Sequence, residues 1–196
     1  MPAPALLLTV LFQAASAQPA NPANPVVVLE TTLGDIVIEL RKDRAPVSVE
    51  NFLAYANTGH YDGTVFHRVL RGFMIQGGSF TPELEAKPAR PPIRNEASNG
   101  LRNLRGTVTM ARSSAVRSAT DGFFINVEDN GQLNHRGLVP DMYGYAVFGR
   151  VLEGMDVVDK IAAVAVRRAG PHEAVPLEPV VIRKVRPFPR APAPGE

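Results

Sequence analysis

The stretch Phe66 to Gly78, FHRVLRGFMIQGG, decides how the chain is read. Alternation along a strand puts Phe66, Arg68 and Leu70 on one face and His67 and Val69 on the other, so an arginine interrupts an apolar set. Such an arginine must be paired or must face a ligand. Phe73, Met74 and Gln76 follow after Gly72, and Gly77-Gly78 leaves the backbone free to turn or to approach another segment closely. The composition describes an apolar surface carrying one cation and one amide. Taken alone, it fits a buried arginine-carboxylate pair among ordinary core neighbours equally well.

Strands dominate on either side of this stretch. Val26 to Thr32 and Asp35 to Arg41 are β-rich runs separated by Leu33-Gly34, which predicts a hairpin with the glycine supplying the turn's unusual backbone angles. Pro46 can open a helix at no hydrogen-bond cost, and Val49, Phe52, Leu53 and Ala56 recur at helical spacing before Gly59 ends the segment. Further β segments are predicted at Thr64 to Leu70, Phe73 to Gln76, Gly106 to Arg112, Phe123 to Val127, Ala146 to Val151 and Pro179 to Val185. A second helix is predicted over Gly154 to Ala163, where Met155, Val158 and Ile161 recur at spacings of three. Eight or so strands with two helices predict a mainly β fold, a closed eight-stranded antiparallel β-barrel capped by the helices, with a sandwich as the structural alternative.

The bulk numbers bound the function. A chain of 196 residues fits one core, and 45% hydrophobic with 20% charged residues indicates neither wholesale disorder nor a membrane-embedded body. A net charge of +2 with no Lys/Arg run leaves no nucleic-acid footprint. The absence of cysteine removes disulfides, thiolate nucleophiles and Cys-based metal sites together. His60, His67, His135 and His172 include no pair at metal-ligand spacing and read as surface or hydrogen-bonded histidines, so no metal is expected. Ser113 and Ser114 lack a partner pattern for a nucleophile and read as loop serines.

Both ends read as separate from the folded body. Leu6 to Phe12 is an apolar run too short to span a bilayer, and Ala15-Ser16-Ala17 after it has the small-x-small form that a signal peptidase cleaves. Residues 1–17 are therefore expected to direct export to a periplasm or out of the cell, although Met1 to Ala5 carries no Lys or Arg. Residues 18–25, rich in proline and asparagine, read as a linker, residues 26–186 as the domain, and residues 187–196 as a proline-rich solvated tail.

The exact string at Phe66 to Gly78 resembles the signature of cyclophilins. The resemblance continues in order through NFLAYANTGHYDGTVFHRV from Asn51, GTVTMAR (Gly106 to Arg112), FFINV (Phe123 to Val127), YAVFGRV (Tyr145 to Val151) and EGMDVVDKI from Glu153. It implies an eight-stranded barrel capped by two helices and a peptidyl-prolyl cis/trans isomerase of the compact bacterial type that needs no cofactor. Its partners would be proline-containing polypeptides, and a monomer is expected. By position, Arg68 matches the family's catalytic arginine, and Phe73, Met74, Phe124 and Leu133 match the pocket that receives the proline ring. Gln76 matches the glutamine beside the arginine, and Ala111 with Arg112 matches the segment whose backbone holds the peptide, where many members have asparagine in place of Arg112. Tyr145 occupies a place that is histidine in many members and tyrosine in some bacterial ones. Gly122 stands where a glutamine is usual, and Gln132 where many members have tryptophan or phenylalanine, which predicts weak cyclosporin binding. Two other classes compete: a peptide-binding or chaperone module with little turnover, which Gly122 favours, and a barrel that carries a small ligand inside.

Overall fold

A computed structural model describes Asn21 and residues 23–189. The expected signal segment lies outside the described residues, as does all of the expected tail beyond Pro189. Strands β1 (Val26–Thr31) and β2 (Gly34–Leu40) form the expected hairpin. Gly34 has φ +130° and lies so close to the second long helix that a Cβ there would meet Val157 Cγ2 at 2.8 Å, so the position excludes any side chain. Helix α1 (Pro46–Asn57) follows, with Val49 and Phe52 buried. The carboxylate of Glu96, remote in sequence, accepts hydrogen bonds from Val47 N (3.2 Å) and Ser48 N (2.8 Å) and so satisfies the N–H groups of the helix start.

The remaining elements are β3 (Arg68–Leu70), β4 (Met74–Gly77), β5 (Thr107–Met110), β6 (Phe123–Asn126), the one-turn helix α2 (Pro140–Tyr143), β7 (Val147–Glu153), α3 (Met155–Ala162), β8 (Val166–Ala169), β9 (His172–Pro176) and β10 (Ile182–Pro187). Eight strands make one sheet in the order β10-β1-β2-β7-β5-β6-β4-β3, and every pairing in it is antiparallel. The sheet curls around Leu29, Ile36, Ile38, Phe52, Phe66, Ile75, Val108, Ile125, Phe148 and Ile182, all at 0% exposure. Burying one such side chain contributes roughly 1.5–3 kcal/mol, so this core is what holds the curl.

Four expectations change. The barrel is not closed by a continuous ladder: the edge strands β3 and β10 do not pair, and the seam is bridged only where residues 63–66 meet residues 180–182, through Gly63 N to Ile182 O (2.8 Å), Phe66 N to Val180 O (3.0 Å) and Ile182 N to Thr64 O (2.7 Å). The strand expected from Thr64 shrinks to Arg68–Leu70 because Phe66 turns into the core, so Phe66 and Arg68 do not share a face. β8 and β9 form a separate hairpin between α3 and β10, where no strand was expected. The stretch expected to be a linker sends Asn24 into the body, where it is 1% exposed and donates to Glu39 Oε1 (3.1 Å).

Candidate functional site

Cross-strand register builds the site on the outside of the sheet. Arg68 on β3 stands opposite Gln76 on β4, and Gln76 stands opposite Phe124 on β6, so the three side chains share one face. Leu70 and Met74 are paired two positions along, on that same face. The intervening Val69, Ile75 and Ile125 point the other way, into the core. The arginine that interrupts the apolar set is thus explained: the residues between fill the core, and Arg68 belongs to the outer surface.

What covers this surface is the segment from Val127 to Tyr145, seated on buried amides. Asn126 Nδ2 donates to Thr107 Oγ1 (2.9 Å), Asn130 Nδ2 donates to Asn126 Oδ1 (2.7 Å) and to Phe73 O (2.8 Å), and Asn103 N donates to Asn134 Oδ1 (2.7 Å). With Asn103 and Asn126 at 0% exposure, this network is satisfied and rigid, which fixes where Leu133 and Tyr145 arrive. Tyr145 N donates to Leu133 O (3.0 Å), and the Tyr145 ring meets Phe124 edge-on at 5.9 Å between centroids. The four asparagines are visible in the sequence, but their separations follow no pattern that announces a network.

A cavity of about 100 Å³ results, lined by Arg68, Phe73, Met74, Gln76, Ala111, Arg112, Phe124, Leu133 and Tyr145. The structure therefore brings together all nine residues singled out from the sequence. A cavity of this volume has room for a small ring. Neither the Arg68 guanidinium nor the Gln76 amide has a hydrogen-bond or ion-pair partner among the described residues, so Gln76 does not hold Arg68 by a hydrogen bond and both are open to a bound molecule. Gln132 is exposed beside the cavity without lining it, its amide donating to Asn130 Oδ1 (3.3 Å).

Gly122 is coupled to its surroundings in a way the sequence did not show. A Cβ at this position would meet Ser79 Oγ at 2.9 Å and Ala111 Cβ at 3.4 Å. Ser79 is held there because its hydroxyl donates to Asp121 Oδ1 (3.0 Å), while Asp121 Oδ2 pairs with His60 Nε2 at 2.9 Å. On the far side of Arg68 a second depression is lined by His67, Arg68, Pro171, His172 and Glu173, the last three from the β8–β9 hairpin and its turn. His67 is 5% exposed, its ring lies 4.5 Å from that of Phe80, and its Nδ1 has no hydrogen-bond partner. Burial first, then the nearby His172 and Arg68, lowers its pKa to about 4, so the ring is neutral at physiological pH. Among the described residues no three His, Asp or Glu side chains converge as a metal site would require, and no helix is long and apolar enough to cross a membrane.

A curled antiparallel sheet thus carries an unpaired arginine beside a small, mostly apolar cavity on its outer face. The family pattern described as "Cyclophilin type peptidyl-prolyl cis-trans isomerase/CLD" matches residues 26–187, and the chain belongs to that family. It is 56% identical over 160 residues to a peptidyl-prolyl cis-trans isomerase of Streptomyces antibioticus, covering 82% of this chain and 96% of the relative. It is 53% identical over 160 residues to peptidyl-prolyl cis-trans isomerase B of Escherichia coli, covering 82% of this chain and 98% of that protein. The fold is also that of a solved cyclophilin type peptidyl-prolyl cis-trans isomerase of Cryptosporidium parvum, with a TM-score of 0.74 at 24% identity over 86% of this chain and 99% of that one.

Proposed function

We propose that the chain accelerates rotation about peptide bonds preceding proline, with Arg68 as its catalytic residue. The isomerase activity follows from the family and from bacterial relatives that carry that name at more than half identity. The observation that carries the residue assignment is the Arg68 guanidinium, without a protein partner, at the wall of the small apolar cavity.

The barrier to be lowered is about 18–20 kcal/mol, because the C–N bond is partly double. Uncatalysed X-Pro isomerisation takes tens of seconds. Conjugation weakens when the nitrogen lone pair is drawn away from the carbonyl. A guanidinium donating to the proline nitrogen does this, and it stays charged at every relevant pH. The lone pair is available only in the twisted geometry, so the donor favours the transition state over both planar forms. Phe73, Met74, Phe124 and Leu133 hold the proline ring while the preceding residue swings. Gln76, with Arg68 in the neighbouring register position, holds a peptide carbonyl, and Ala111, Arg112 and Tyr145 form the lip. No covalent bond is made or broken, so the reaction asks for no group-transfer or redox partner.

The clients are proline-containing polypeptides, handled by a single copy of the chain. The apolar run and Ala15-Ser16-Ala17 motif support the reading that these clients are exported proteins, met in a periplasm or outside the cell. Expression of the full chain in a bacterium, followed by mass measurement of the exported fraction, should give a protein beginning at Gln18; retention of Met1 to Ala17 in the cytoplasm would refute export. Cyclosporin binding is weak, because Gln132 offers neither an indole nor a phenyl ring beside the cavity.

The activity test is NMR exchange, or a protease-coupled assay, on a short X-Pro peptide with the chain and its Arg68→Ala variant side by side. Acceleration by the first and loss of most of it in the folded second is the expected result. Binding of proline peptides without acceleration by either protein would leave a peptide-binding module, the reading that Gly122 favours.

A further inference from the structure

The rim of the cavity holds a second cation that no carboxylate neutralises. Arg112 donates from Nε to Gly144 O (3.0 Å), from Nη1 to Ser113 O (2.9 Å) and Ser114 O (3.2 Å), and from Nη2 to Pro140 O (2.9 Å). Its Cζ lies 4.6 Å from the centroid of the Tyr145 ring. These partners satisfy four of the five N–H bonds of a guanidinium but bring no negative charge, and an aromatic face brings only a quadrupole. Arg112 forms no ion pair among the described residues, and neither does Arg68, which lines the same cavity. Asp141 is next to Pro140, Glu173 lies in the depression beyond Arg68, and Asp121, beside Gly122, pairs with His60; none of the three pairs with either arginine. Two guanidinium charges without a paired carboxylate therefore line one small cavity, and Arg112 is held in place by its carbonyls.

We propose that this pair of charges sets sequence preference, so that the groove favours X-Pro segments carrying an aspartate or glutamate side chain within two residues of the proline and disfavours lysine or arginine there. This rests on the reading of the cavity as the isomerase site. Arg112 is pinned by four backbone carbonyls and a ring, so it acts as a stationary charge and loses little freedom when a carboxylate approaches. At a separation of about 6–8 Å, with a dielectric response close to that of water, one such unit charge gives a preference of roughly three- to tenfold for glutamate over lysine at low ionic strength. The preference shrinks at about 0.5 M salt, where the screening length is shorter than that separation.

The test uses the full chain and one peptide framework carrying Glu, Gln or Lys at the second position before, or the second position after, an X-Pro bond. Exchange rates measured at about 20 mM and about 0.5 M salt should rank Glu above Gln above Lys in at least one of the two placements, with a spread that narrows to about twofold at high salt. Arg112→Gln should flatten the ranking, whereas Arg112→Lys, which keeps the charge and loses the fork, should retain it even if the overall rate falls. Equal rates for the three peptides, a preference for Lys, or an unchanged ranking in Arg112→Gln would overturn the proposal. If none of the peptides is accelerated, the isomerase reading fails instead. Dissociation constants of the same peptides from NMR titration then decide the charge preference by the same ranking.

Discussion

On the wall made by β1, β2, β7 and β10, partly buried cations rest on carboxylates. Arg150 Nε lies 2.6 Å from Glu39 Oε2, and Arg186 pairs with Glu30. Glu39, 1% exposed, also accepts from Asn21 N (2.8 Å) and Asn24 Nδ2 (3.1 Å). On the wall made by β3, β4 and β6, Arg68 has no carboxylate and no hydrogen-bond partner, and at its rim Arg112 has carbonyls and the Tyr145 ring but no carboxylate. The first wall spends its polar groups on the fold. The second leaves Arg68 without a protein partner, as the role proposed for its guanidinium requires.

The two walls should therefore fail differently. Glu39→Ala removes the acceptor shared by Asn21, Asn24 and Arg150, and should cost about 3–5 kcal/mol in unfolding free energy while the exchange rate per folded molecule stays within about twofold. A large loss of rate at full stability would erase the distinction. Acid acts on the same carboxylate: burial pushes the pKa of Glu39 up, but hydrogen bonds from Asn24, Asn21 and Arg150 outweigh it, and the net value lies below 4.5. Its stabilisation is therefore complete above 4.5 and is lost as pH falls through the depressed value.

His67 sits at the border, directly behind Arg68, and provides a sharper version of the test. Its pKa falls from 6.5 to about 4 on folding, so the unfolded chain binds the extra proton between those values and stability drops as pH is lowered through that window. The loss from this group amounts to about 3 kcal/mol. His67→Phe should remove that part of the slope in denaturant titrations run from pH 7 to pH 4, and an unaltered slope would show that the ring does not titrate as its burial requires.

The smallest expected effect concerns Gly122. Gly122→Gln forces Ser79 from its hydrogen bond with Asp121 and should cost about 1–3 kcal/mol by overpacking. Adding Ser79→Gly should recover stability and let the restored amide reach the cavity rim, raising the exchange rate a fewfold over the single variant. No difference between the single and double variants, in melting temperature or rate, would mean that Ser79 yields freely.

Much of the site was legible before the structure because it follows from local rules. Two-residue alternation singled out Arg68 and set it with Leu70, though it wrongly added Phe66 to that face, and the ordered run of family-like strings carried Phe73, Met74, Gln76, Ala111, Arg112, Phe124, Leu133 and Tyr145 to the same place. Features that depend on remote contacts were not legible. The seam between β3 and β10 opens because Phe66 is taken by the core, the start of α1 is satisfied by Glu96 some fifty positions away, and the seat of Leu133 is built by asparagines with no shared spacing. The coupling of Gly122 to Ser79 belongs to the same group, since neither residue names the other until a Cβ is placed between them.

The most direct test of the central claim separates rate from affinity at Arg68. Two-dimensional exchange NMR on one X-Pro peptide, with its dissociation constant measured in the same samples, should show Arg68→Ala lowering the catalysed rate by about 10²- to 10³-fold while affinity changes by less than about threefold and the melting temperature holds. A rate that falls only in proportion to affinity would contradict the account, because Arg68 would then bind the peptide without favouring its twisted state.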